Sequence, residues 1–174
     1  MALKFRTLKE SEIEVRIAMV KENGISLLLY KDARCDMNIL DETAGAMNWQ
    51  RAHTRDNANC IVSIWCDIKK QWINKEDTGV ESYTEKQKGQ ASDSFKRACF
   101  NWGIGRELYT SPFIWVKSTD CTIKKIQDFK TKKDKFVCND NFVVEKIAYD
   151  GKTITGLSIK NEKTSKRVFV YQKK

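Results

Sequence analysis

Apolar and polar positions along this chain switch between two periods, and the switch predicts the order of its elements. From Ile13 to Val20 (IEVRIAMV) apolar residues alternate with charged or small ones, putting Ile13, Val15, Ile17 and Met19 on one side, the period of a half-buried strand. Asn23-Gly24 is a tight-turn signal, and the more continuously apolar ISLLLY, Ile25 to Tyr30, follows as an antiparallel partner. Asp32-Ala33-Arg34 then opens a short helix carrying Met37, Leu40 and Ala44, ended by Gly45. Between Asn48 and Glu76, the runs NWQRAHTRD, CIVSIWCDI and QWINKE are rich in aromatic and β-branched residues. Asp56-Asn57-Ala58-Asn59 and Lys69-Lys70 punctuate them, which predicts a three-stranded meander.

The period changes to that of a helix between Ser82 and Tyr109. Ser82 with Glu85, or Thr84 with Gln87, offers a capping box at its start. Ala91, Phe95, Ala98, Cys99 and Trp102 then line one side at helical spacing, and Gly103 and Gly105 supply the stop. Lys86, Gln90, Asp93, Arg97 and Asn101 form the opposite polar stripe, with Lys96 beside it and Arg106 beyond the glycine turn. Two strands, a short helix, three strands and a long helix lying on an antiparallel sheet make an α+β arrangement with a β-β-β-α core. Further on, FVVEKIAYD, GKTITGLSIKN and KRVFVYQKK read as three short strands with turns at Asp150-Gly151 and at 161–165, a small C-terminal β-meander. The expected organisation is a core over 1–117, a basic linker over 118–135 and a β extension over 136–174.

Composition adds a partner class. Across 174 residues the net charge is +9 and the pI near 9.2, so the surface attracts anions, with nucleic acid or an acidic membrane face as the large candidates. The surplus is uneven: 14 basic against 7 acidic residues over 118–174, a net of +7, and 18 against 16 over 1–117, a net of +2. No apolar run approaches the roughly 18 residues of a membrane span, and the first residues lack the apolar centre of a secretory signal, so no membrane association and a cytoplasmic location are expected.

The chemistry-bearing residues argue against an enzyme. The six cysteines include no C-x-x-C pair and His53 is the only histidine, so reduced thiols, several of them buried, are expected and no metal. Gly103-Ile104-Gly105 ends a helix instead of opening one, and no phosphate-binding G-x-x-x-x-G-K-[ST] occurs, so no nucleotide cofactor is expected. Asp32, Asp36, Asp41 and Glu42 cluster on the short helix, as a metal-dependent nuclease would need. Adjacent residues diverge on a helix, however, and first-turn acids already suit its dipole, which favours structural acids. His53, flanked by Arg51 and Arg55, lacks a nucleophile or carboxylate signature around it.

Two stretches carry a resemblance. DARCDMNILDETAGAMNWQ, 32–50, and ASDSFKRACFNWGIGRELY, 91–109, together resemble the Rad-fifty-two-type single-strand annealing proteins, and most closely their phage Sak branch, over roughly Glu14 to Val116. The resemblance implies a β-β-β-α core, assembly into homo-oligomeric rings or arcs, and a basic groove that holds single-stranded DNA by its backbone with bases presented for pairing, without nucleotide hydrolysis. Position by position, the groove residues fall on Lys96 and Arg97, and the arginine opening the short helix on Arg34. Some relatives carry a further basic residue where this chain has Phe100, a gap that Arg106 is placed to fill. An aromatic found near Gly45 in some relatives is Ala46 or Met47 here. Lys86 extends the cationic stripe toward the helix start.

Annealing without sequence selection suits these residues, because each lysine or arginine bound to a single strand releases counterions and contributes about 0.7 to the salt slope. One chain supplies few such contacts, and repetition around an oligomer would make a continuous track. A plainer reading makes the stripe a solvated face with Asp93 and Arg97 as an ordinary ion pair. In the groove reading, the same pair orients the guanidinium. Trp49, Trp65, Trp72 and Trp102 fit a core or a protomer interface, whereas Trp115 in SPFIWV fits either packing or base stacking. The basic tail either widens the surface for a second DNA strand, duplex DNA included, or is a solubilising sheet with lysine-protected edges. The expected function is therefore ATP-independent single-stranded DNA binding and strand annealing in phage or prophage recombination. A phage exonuclease or a host single-strand-binding protein is the candidate protein partner. The alternative is a basic nucleic-acid-binding or end-protection module, or an accessory subunit of a phage nuclease, without annealing activity.

Overall fold

The computed structural model describes residues 3–80, 86–127 and 132–173, with the side chains of 86–88 outside that description. The protein is α+β, with antiparallel sheets and two helices, and it divides into two compact units. One comprises Met1–Thr7 with Asp32–Arg106, the other Leu8–Lys31 with Glu107–Lys174.

The first unit contains the expected β-β-β-α arrangement. Its helix α1 (Ala33–Ala44) is N-capped by Asp32, whose side chain accepts the Cys35 N–H at 3.0 Å. The strands β3 (Trp49–Thr54), β4 (Asn59–Cys66) and β5 (Gln71–Thr78) form an antiparallel meander, and the helix α2 (Lys86–Trp102) follows. The capping positions expected at Ser82 and Thr84 lie outside the described residues. Beyond Trp102 the chain turns through Gly103 and Gly105, whose φ values of 100° and 74° are open to glycine and strained for other residues. Alternation sends Cys60, Val62 and Ile64 of β4 to one side of the sheet, where α2 supplies Phe95, Ala98 and Cys99, and all six are buried.

The second unit is built on a six-stranded antiparallel sheet in the order β11-β10-β9-β1-β2-β6. Its members are β1 (Glu14–Lys21), β2 (Gly24–Tyr30), β6 (Ile114–Lys117), β9 (Phe142–Asp150), β10 (Thr153–Asn161) and β11 (Arg167–Gln172). Only Glu14 and Val143 join β1 to β9, and β11 comes back against β6, so the sheet curls around Ile25, Leu27, Val116, Ile154 and Ile159. A separate hairpin pairs β7 (Ile123–Gln127) with β8 (Asp134–Cys138).

These groupings differ from a division at 117 and 135. The first two strands do not extend the β3–β5 meander, because they share a sheet with the tail strands, and the stretch expected as a linker contains β7 and enters β8. Neither β1–β2 nor β9–β11 can bury its apolar face alone, and curling one sheet from both satisfies the two. Met19 also departs from expectation: a register shift between Ile17 and Met19 turns it to the outer face, where it is exposed.

Of the cysteines, Cys35, Cys60 and Cys99 are buried and all six are free thiols; burial pushes the Cys60 thiol up to about 11. Among the described residues no helix is long and apolar enough to cross a membrane.

Candidate nucleic-acid interface

The site is set by how α2 seats on its sheet. Phe95, fully buried, stacks on Trp49 at 6.1 Å between ring centroids, and the Arg51 guanidinium lies 4.7 Å over the same ring. Trp102 donates its indole N–H to the Val62 carbonyl at 3.0 Å. Gly79, just after β5, lets the helix come this close, since a Cβ there would sit 2.4 Å from the Ser94 nitrogen and 2.6 Å from the Gln90 oxygen. In the sequence Gly79 carries no signal beyond being a glycine between a strand and a helix.

The polar stripe does more than face water. Asp93 accepts the Val80 N–H at 3.0 Å, Arg97 Nε donates to Asp77 Oδ1 at 3.3 Å, and Asn101 Nδ2 donates to the Glu76 carbonyl at 3.0 Å and to Asp77 Oδ2 at 3.2 Å. The stripe therefore clasps the edge strand β5. The expected Asp93–Arg97 pair is corrected: Asp93 is committed to the backbone entering the helix, and Asp77 takes the arginine across the clasp.

Lys96 and Arg97 stand together on α2. Lys96 is half-buried and has no hydrogen-bond or ion-pair partner among the described residues. The Arg97 side chain is 49% exposed, and among the described residues Nε makes its single hydrogen bond. Arg106 lies beyond the turn, donating from Nε to the Phe100 carbonyl and from Nη2 to the Asn101 carbonyl, both at 2.8 Å, with its guanidinium 5.6 Å over the Phe100 ring. It thus caps the end of α2, where a cation suits the helix dipole, and is itself exposed. Lys75 was missed from sequence because it sits in a strand run, yet its Nζ reaches the Asn101 carbonyl at 2.7 Å and lies 4.7 Å over Trp102. Lys75 and Arg106 therefore converge on the Asn101 carbonyl, and Arg97 is linked to Asn101 through Asp77, which both contact.

The remaining expected positions stand apart. Arg34, 83% exposed, is in the first turn of α1, on a different element from the α2 cations, and pairs with Asp32 at 2.7 Å. Burial works to raise the Asp32 carboxyl, but the Cys35 N–H and the Arg34 guanidinium outweigh it and hold the group below its ordinary value. Lys86 is the first residue of α2, with its side chain outside the described set.

The acids of α1 have structural uses. Asp32 caps, Asp36 is fully buried, Asp41 accepts the Trp49 indole N–H at 2.6 Å and Glu42 pairs with Arg6 at 2.7 Å. His53 turns toward Ser94, with Nδ1 3.5 Å from Oγ, and burial with the Arg51 charge holds it below its ordinary pKa.

No protein-family model matches the chain, and no curated protein and no solved structure matches it significantly.

Proposed function

We propose that the protein binds single-stranded DNA along the cationic outer side of α2 and speeds the annealing of complementary strands without ATP, acting as a homo-oligomer of the recombination type its sequence resembles. One observation carries the reading: Lys96 and Arg97 are neighbours on a helix whose opposite side is sealed onto a sheet, and among the described residues Lys96 has no hydrogen-bond or ion-pair partner and Arg97 a single hydrogen bond, through Nε. Asp77 orients Arg97 and leaves its terminal amino groups for a phosphate, which a guanidinium grips in a fixed fork. Lys75 and Arg106 extend the cationic surface past the helix end.

The unit holding α2 has 13 basic and 11 acidic residues, so attraction to DNA there is local. A few phosphate contacts per chain give weak binding, and repetition in an oligomer turns them into a track that holds a strand extended. Pairing then needs only exposed bases and released counterions.

The test mixes two complementary labelled oligonucleotides with the protein, without ATP or magnesium, and follows duplex formation. Annealing faster than in buffer supports the reading; binding with no acceleration assigns an end-protecting or accessory role. Lys96→Ala with Arg97→Ala is expected to leave the circular dichroism unchanged, weaken binding, and lower the salt slope by about 1.4 at about 0.7 per contact. Wild-type affinity in that variant would place the groove elsewhere.

A further inference from the structure

The second unit carries most of the positive charge, with 19 basic and 12 acidic residues over Leu8–Lys31 and Glu107–Lys174, and α2 uses none of it. The outer face of β1, β2 and β6 concentrates some of it beside aromatic rings. Register puts Lys117, Gly24 and Lys21 in one cross-strand row and Trp115, Ser26 and Met19 in the next. Phe113, one residue before β6 and 75% exposed, stacks on Trp115 with centroids 6.2 Å apart and planes 19° from parallel. The Trp115 ring lies over Gly24, where a Cβ would come within 2.6 Å of it. Arg16 stands 6.0 Å over the Tyr30 ring at the other end of the face.

We propose that this face is a second site for single-stranded nucleic acid, with bases stacking on Phe113 and Trp115 and phosphates held by Lys21 and Lys117. Among the described residues neither lysine forms an ion pair, and Asp120, which feels the Lys117 charge, is itself held by Lys166. Carboxylates gather at the far end of the face, where Glu14 stands opposite Tyr30 and Glu10, Asp140 and Glu162 line the same hollow as Arg16, so the lysine end is the one open to a polyanion. A self-associating surface would be depleted of charge at its centre, whereas exposed rings interleaved with unpaired cations suit unstacked bases on a phosphate backbone. Duplex DNA hides the base faces that Phe113 would meet. The site does not depend on α2; with both in place, one chain could hold two strands, which annealing requires.

The experiment measures the affinity of the full-length protein for a labelled oligothymidylate by anisotropy over a range of salt, with sedimentation in parallel. Four proteins are compared: wild type, the triple variant Lys21→Ala/Phe113→Ala/Lys117→Ala, the α2 variant Lys96→Ala/Arg97→Ala, and Phe113→Tyr. The triple variant is expected to lose about tenfold or more in affinity, from one stacking contact and two phosphate contacts, with unchanged circular dichroism. Phe113→Tyr keeps a ring and is expected to bind as wild type. The proposal is overturned if the triple variant binds as wild type, or if its loss comes with a fall to a smaller species in sedimentation, which makes the face a contact between copies. Wild-type affinity in the α2 variant alone would remove the α2 reading and leave this one standing.

Discussion

A residue's chemistry here is set as much by its neighbour across space as by its own type. Arg97 illustrates this: the carboxylate one helical turn away, Asp93, is spent on the Val80 N–H, and Asp77 from β5 takes its place. Helical spacing made Asp93 the obvious partner, and nothing local could show that the chain would bring Asp77 alongside. Glu145 gives a similar case with a measurable consequence. Arg167 holds it at 2.6 and 3.0 Å and Ser158 donates to it at 3.1 Å, and together they outweigh burial and bring its pKa down to about 2 from 4.5. A depressed carboxylate stabilises the fold fully above its unfolded value and loses that contribution as pH falls through the folded one. Wild type should therefore melt above Glu145→Gln at neutral pH, with the gap closing between about pH 4.5 and 2. A gap that stays open across that range would mean that the stability difference does not come from the ionised pair, and no gap at neutral pH would mean that the pair contributes nothing.

At the level of elements, hydrophobic periodicity was a good guide to α2 and a partial one to its surroundings. The apolar residues Phe95, Ala98 and Cys99 were legible as one buried face, since spacing alone fixes which side of a helix they share. The polar stripe was legible as polar but not as a clasp, because its acceptors are the backbone and acids of an edge strand. Gly79 governs that clasp. All three close atoms around its missing Cβ are backbone, so Gly79→Ala would have to move α2 against β5. The cost is expected at about 1–3 kcal/mol by overpacking, read as a lower melting midpoint, and single-strand affinity should fall with it because Arg97 would shift from Asp77. Full stability in that variant would show that the helix seats less closely than the structure has it. Met19 shows the limit of a period of two: one bulge reversed its side, and no residue in IEVRIAMV announces it.

For the whole molecule, the division into units decides what can be removed. A chain ended after Lys117 retains all three strands of the meander and α2, but leaves Ile25, Leu27, Ile114 and Val116 without the buried side chains of β9 and β10. Such a chain is expected to keep protected amides in β3–β5 and α2 while exchanging freely in β1 and β2, as hydrogen exchange would report. Protection of β1 and β2 in the shortened chain would mean that the tail strands are dispensable to that sheet. Glu107 adds to the dependence: its buried carboxylate accepts the Leu8 N–H at 2.8 Å and meets Lys152 Nζ at 3.3 Å, tying the start of the second unit to its later strands.

What the sequence determined unaided was local: most of the strands and both helices, though not β7 or β8, which face of α2 is buried, and where basic residues lie along the chain. Those properties depend on neighbours within a turn or two of chain, and period and composition record them directly. Tertiary structure alone decided that β1–β2 share a sheet with strands more than a hundred residues later, that Asp77 holds Arg97, and that Phe113 and Trp115 flank unpaired lysines. Each of these is a choice among distant segments of similar pattern. It is settled by which combination buries the most apolar surface while leaving the fewest polar groups without partners, a sum over the folded chain that no single stretch contains.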